Sequence, residues 1–96
     1  MLTKDDARAM VEKAMSGYAP SDEEWVILDE YTIERPWGWV FFYNSREYAT
    51  TGDPGSQLFG NAPYMVNKET GEIFDTGTAE EIDVYIARYE ATLCRD

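Results

Sequence analysis

The chain of 96 residues has no histidine and a single cysteine, and only 8 lysines and arginines stand against 19 aspartates and glutamates. Without histidine, Ser-His-Asp and Cys-His sites, His-bearing metal sites and imidazole acid–base chemistry are excluded. Cys94 has no partner for an intramolecular disulfide and no CxxC spacing for zinc, which fits a reducing compartment. No apolar run approaches the ~18 residues of a membrane-spanning helix, and the opening MLTKDDARAM carries no apolar signal core, so the expected location is the cytoplasm. Gly52, Gly55 and Gly60 fit neither GxGxxG nor GxxxxGK[ST], and Asp53 and Asp75 lie in no calcium loop. A carboxylate pair such as Glu72 with Asp75 could in principle hydrolyse a glycoside, but among so many acids it carries little information. No catalysis, cofactor or metal is expected.

The shortage of bases leaves a net charge of −11, which makes nucleic acid and anionic membrane poor partners because both need a basic face. A basic protein surface is the natural complement. Solubility alone is the competing use of the same acidity. Disorder is excluded by the 44% of apolar residues, among them seven Tyr, four Phe and three Trp. The length suits one domain, residues 1–96, that buries roughly 60–70% of its unfolded surface.

The stretch Pro36 to Asn44, PWGWVFFYN, is aromatic without a helical period and predicts a central strand touched on both faces. Trp37, Trp39, Phe41 and Tyr43 share one side of it, and Gly38, Val40, Phe42 and Asn44 the other. Trp25 to Glu34 alternates as a second strand, joined to the first through Arg35 and Pro36. With that two-residue loop, Glu34 faces Trp37, Thr32 faces Trp39 and Glu30 faces Phe41, a column of aromatics flanked by acids. The other face then holds Ile27, Tyr31, Ile33, Val40 and Phe42. A three-residue loop would exchange the two faces.

Outside this hairpin, Thr3 to Gly17 predicts a helix capped by Thr3, with Ala7, Met10, Val11, Ala14 and Met15 on its apolar side. Pro20 to Glu24 is a polar linker. Ser45 to Gly60 is a long connection in which Tyr48, Leu58 and Phe59 serve as anchors and Thr51, Asp53 and Ser56 are exposed. A second hairpin runs from Asn61 to Asp75 around Asn67 to Gly71, with Pro63 at a strand start or edge and Gly71 left-handed. Thr78 to Cys94 predicts a closing helix with a Thr78–Glu81 capping box and the stripe Ile82, Tyr85, Ile86, Tyr89 and Leu93. The expected fold is therefore α+β: a four-stranded antiparallel sheet with an N-terminal and a C-terminal helix packed on one face.

Large aromatics beside carboxylates suit a protein interface that selects Arg and Lys across the contact. The candidate partner-binding residues are Glu30, Glu34, Trp37, Trp39 and Tyr43 on the sheet, with Glu47, Tyr48 and Asp53 in the long connection. The competing reading makes the aromatics ordinary core and the glutamates a solvated strand face.

The Trp-bearing first strand, RPWGWVFFYNSREYATTG, LFGNAPYMVNKETGEIFDTGTA and EEIDVYIARYE together resemble the YrhB-like family, immunity protein 35, from about Trp25 to Glu90. The most specific parts are Gly38-Trp39-Val40-Phe41, Gly60-Asn61-Ala62-Pro63 and the Thr70-Gly71 turn followed by Gly77-Thr78. The resemblance implies a small cytoplasmic α+β protein, encoded beside a bacterial polymorphic toxin, that neutralises its cognate toxin by binding it, without catalysis or cofactor. It supplies no contact residues. A chaperone-like stress protein that keeps unfolded clients soluble is the alternative, and an acidic mimic of nucleic acid a third. Oligomeric state is not legible.

Overall fold

In a strand, aromatic and β-branched residues at consecutive positions are all buried only when both faces are covered. The computed structural model, which describes residues 1–17, 24–53, 55 and 62–93, shows that arrangement. Strand β3 (Gly38–Phe41) pairs antiparallel with β5 (Tyr64–Asn67), setting Trp39 opposite Val66, Val40 opposite Met65 and Phe41 opposite Tyr64. On the outer sides lie β2 (Ile33–Arg35) and β6 (Ile73–Asp75), giving the order β2-β3-β5-β6. Trp39, Phe41, Tyr64 and Val66 pack with Ala7, Val11 and Met15 of helix α1 (Lys4–Ser16). Val40 and Met65 turn the other way and pack with Ile86 of helix α3 (Ile82–Leu93). The class is α+β as predicted, but the helices cover opposite faces instead of sharing one. Alternation makes both faces of the β3–β5 pair apolar, and leaving one bare would forfeit about 1.5–3 kcal/mol per large side chain.

The predicted continuous strand over Trp25 to Glu34 is broken. β1 (Trp25–Ile27) pairs with β4 (Tyr43–Ser45) in a separate two-stranded sheet, and a 3-10 turn, Asp29–Tyr31, leads into β2. The Tyr31 and Thr32 amides close this turn onto the Leu28 and Asp29 carbonyls at 3.0 and 3.2 Å. Arg8 of α1 grips the Asp29 carboxylate with two bonds of 2.7 and 3.0 Å. Ile27 stands opposite Tyr43 and Ile33 opposite Val40, so six positions on one strand run beside three on the other. An odd offset reverses the facing of every side chain beyond it. Ile27 and Trp25 therefore join the α1 side, while Ile33 stays on the α3 side, separating residues that simple alternation groups together.

The hairpin loop has two residues, but they are Pro36 and Trp37, not Arg35 and Pro36. Glu34 consequently stands opposite Trp39, two positions from the predicted partner, and Arg35 opposite Gly38. Trp37, freed from the ladder, turns to α3: its ring meets Tyr89 edge-on at 4.7 Å and its Nε1 donates to Glu90 Oε2 at 3.0 Å. Arg35 also donates to that oxygen, at 2.6 and 2.8 Å, so one carboxylate ties the hairpin tip to the helix. These bonds, Trp37 first and then Arg35, hold the Glu90 carboxyl below its ordinary value.

Local signals elsewhere are mostly obeyed. Thr3 and Asp6 form a reciprocal capping box, Tyr64 follows Pro63 directly, and Gly71 is left-handed at φ 75°. The side-chain oxygen of Asn67 accepts from the Glu69 and Thr70 amides at 2.9 and 3.0 Å, organising that turn. Part of the supposed loop after β4 is instead a short helix, α2 (Arg46–Thr51), capped by the Ser45 hydroxyl and ended by left-handed Gly52. The closing helix begins at Ile82 in place of Thr78, and in the turn ahead of it the Ala79 and Glu80 amides donate to the Tyr85 hydroxyl at 3.0 and 3.1 Å. Leu93, assigned to its apolar stripe, is exposed. The linker from Pro20 falls outside the described residues except for Glu24, as do Ser56, Leu58, Phe59 and Cys94.

Gly38 sets the spacing of the central pair. A Cβ there would lie 1.9 Å from the Val66 carbonyl oxygen, on a backbone with φ of 155°. Gly38→Ala should cost about 3 kcal/mol, the upper end of overpacking penalties, and lower Tm by roughly 12 °C or more. Gly52→Ala, left-handed but facing open space, should cost only about 1 kcal/mol. Equal melting temperatures for the two variants would show that the close approach is not what matters at Gly38. A second test concerns Glu90, whose carboxyl is depressed in the fold. Its stabilising contribution is complete above its ordinary value of 4.5 and is lost as pH falls through the lower folded value. Glu90→Gln should therefore flatten the acid limb of Tm against pH and narrow its gap to the parent in acid, which thermal melts across that range will read.

Candidate functional site

The eight residues singled out from the sequence do not form one patch. Trp39 is 8% exposed beneath α1, where its ring lies 6.5 Å from that of Phe41. Trp37 is half-buried on the opposite side of the sheet, against α3. Tyr43 is half-buried between Trp25 and Tyr64, with ring centroids 5.6 and 5.8 Å away. Burial, followed by the neighbouring Tyr64 and Asp75, pushes its phenol pKa upward. These aromatics are mainly the core and the clamp that hold the helices, the competing reading of the sequence.

The acids are placed differently. Glu30 is exposed on the 3-10 turn and Glu34 on the outermost strand, where it meets Lys4 at 3.2 Å. Glu47 is exposed on α2, Tyr48 is half-buried there, and Asp53 is exposed just beyond, accepting from the Gly55 amide at 3.0 Å. Because α2 packs on the β1–β4 ribbon and Glu30 and Glu34 flank α1, these residues divide into two groups.

Electrostatics across the described surface are set by where the few bases go. Lys4 pairs with Glu34, Arg8 with Asp29 and Glu12, Arg35 with Glu90, Arg46 with Glu24 and Arg88 with Glu80. The Arg8 bonds hold the Asp29 carboxyl below the usual range and raise the guanidinium reciprocally. Among the described residues only Lys13 and Lys68 remain as bases without a carboxylate partner, whereas Glu30, Glu47, Glu69, Glu81 and Asp83 have no cation. Among the described residues, carboxylates without a cation therefore outnumber bases without a carboxylate.

One feature was not anticipated from sequence. Between the point where β3 passes into β4 and the start of α3 lies an open cleft of about 460 Å³, with Phe42, Pro63, Ile82 and Tyr85 on its walls and Glu80, Glu81 and Asp83 at its rim. Apolar spacing and the Thr78–Glu81 capping signal do not disclose the late start of the helix, which leaves Glu80 and Glu81 ahead of it and Asp83 in its first turn, all three at the cleft. Among the described residues no three Asp, Glu, Cys or His side chains are placed to hold a metal ion, and no helix is long and apolar enough to cross a membrane.

No solved structure gives a significant match to the chain. Over 53 residues, 55% of its length, it is 43% identical to a protein of Escherichia coli strain K12 described as uncharacterized protein YrhB, and it spans 56% of that relative. A model of the family described as immunity protein 35 matches residues 5–91, from the first turn of α1 to the last turn of α3; the chain belongs to that family.

Proposed function

We propose that the protein neutralises a cognate bacterial toxin in the cytoplasm by stoichiometric binding, covering a basic active-site or substrate-binding surface. The observation that carries this reading is membership of the immunity protein 35 family over residues 5–91. Its physical support is the surface just described, on which bound arginines leave carboxylates in excess, so that a basic partner is attracted and an acidic one repelled. The chain acts by masking and performs no bond-making of its own.

Contacts are assigned first to the exposed acids of the sequence reading, Glu30, Glu34, Glu47 and Asp53, and then to the half-buried Trp37, Tyr43 and Tyr48. Trp39 supports from below, since a partner cannot reach a ring held under α1. Trp39→Ala should accordingly lower stability by about 3–5 kcal/mol, a change in folding and not in recognition.

The toxin domain encoded beside this protein should co-purify with it at equal stoichiometry and lose activity in the complex. Its association rate should fall roughly tenfold or more from low to high ionic strength. Replacing Glu30, Glu34 and Glu47 by Gln and Asp53 by Asn together should slow association and weaken that salt dependence while leaving Tm nearly unchanged. A flat salt response would remove the electrostatic part of the proposal. Loose binding to many unfolded chains, with no single folded partner, would replace it with the chaperone-like alternative.

A further inference from the structure

The cleft beside α3 combines features that the exposed acids elsewhere lack. Its walls are apolar, formed by Phe42 and Pro63 on the sheet side and Ile82 and Tyr85 on the helix side. The lip is held in place before any partner arrives. The Tyr85 hydroxyl accepts from the Ala79 and Glu80 amides, and the Thr76 amide donates to the Pro63 carbonyl at 3.0 Å. Gly77, at φ 96°, packs so closely that a Cβ there would lie 3.2 Å from the Tyr85 oxygen. At the rim, Glu80 is engaged by Arg88 at 3.3 Å, while Glu81 and Asp83 have no cation among the described residues.

We infer that this cleft receives one lysine or arginine side chain of the partner protein, its aliphatic stem on Phe42, Pro63, Ile82 and Tyr85 and its cationic head between Glu81 and Asp83. Long basic side chains are the residues that present an apolar stem and a charged tip together. A purely apolar anchor would leave the rim carboxylates uncompensated, and an acidic anchor would be repelled by them. A volume of about 460 Å³ has room for such a side chain. The inference rests on the reading that the protein binds a basic protein, and it locates an anchor point for that partner away from Glu30 and Glu34.

The probes are three capped tripeptides, glycine on either side of arginine, lysine or norleucine, titrated into the ¹⁵N-labelled full chain and followed by amide shifts. The arginine and lysine peptides should give saturable shifts concentrated at Thr76 to Tyr85 and near Phe42, reduced at high salt, with norleucine binding markedly weaker. Glu81→Gln and Asp83→Asn should each weaken the basic peptides roughly two- to fivefold, the range for exposed ion pairs, without altering norleucine. Norleucine binding as tightly as arginine, shifts scattered over the surface, or indifference to both substitutions would overturn the assignment. Because these peptides need no toxin, the outcomes separate: a toxin neutralised by a protein whose cleft ignores them leaves the masking function and removes the anchor. A cleft that binds them in a chain that neutralises nothing does the reverse.

Discussion

The antiparallel pairing of β3 with β5 is the contact on which the rest of the molecule depends. At Gly38 the two backbones approach so closely that no side chain fits between them, and from there Trp39, Val40 and Phe41 face Val66, Met65 and Tyr64 in register. With apolar side chains on both surfaces, the pair must be covered twice, and it is covered by two helices distant in sequence. Its ends are tied to other elements by polar bonds. Asn67, at the end of β5, orders its turn through one oxygen and donates to the Tyr89 hydroxyl of α3 at 2.9 Å. The Lys68 amide reaches back to the Trp37 carbonyl at 2.9 Å, so both hairpin tips and α3 form a connected corner.

That corner turns one of the many carboxylates to structural use. Most exposed ion pairs contribute little individually, but Glu90 accepts from both an arginine and an indole at a partly covered position. Tyr89 beside it sits against Trp37 and Phe74, 4.7 and 5.2 Å away, and burial raises its phenol pKa. Bases are concentrated where they bind secondary elements together: Arg8 joins α1 to the 3-10 turn, Arg35 joins β2 to α3, and Arg46 joins α2 to the residue before β1. Among the described residues Glu30, Glu47, Glu69, Glu81 and Asp83 are left exposed without a cation, where their mutual repulsion is screened by salt.

Much of the local structure was legible because short-range chemistry settles it. Thr3 with Asp6, Pro63 before its strand and Gly71 in its turn act within a few residues of themselves, and the apolar spacing of α1 matches the side it buries. The Ser45 cap and Gly52 stop of α2 were also present as signals, but a loop rich in small residues concealed them. The site was less legible. Alternation correctly set Trp39, Phe41 and Tyr43 on one side, yet alternation does not say whether that side meets solvent or a helix.

The sequence alone determined the α+β class, the net negative charge, the exclusion of histidine chemistry and most caps and turns, because each follows from composition or from neighbours a few positions apart. Tertiary structure decided that the helices lie on opposite faces, that the first strand breaks at Asp29 under the grip of Arg8, and that Trp37 turns to α3 while Trp39 lies beneath α1. It also decided that α3 starts at Ile82, with two amides of the preceding turn bonded to Tyr85 beside a cleft. The physical reason is common to the first three: each depends on an interaction between residues far apart in the chain or on an odd offset in a ladder, and neither leaves a local trace; Tyr85 reaches amides only five and six positions back, but through a side-chain bond that apolar spacing does not register.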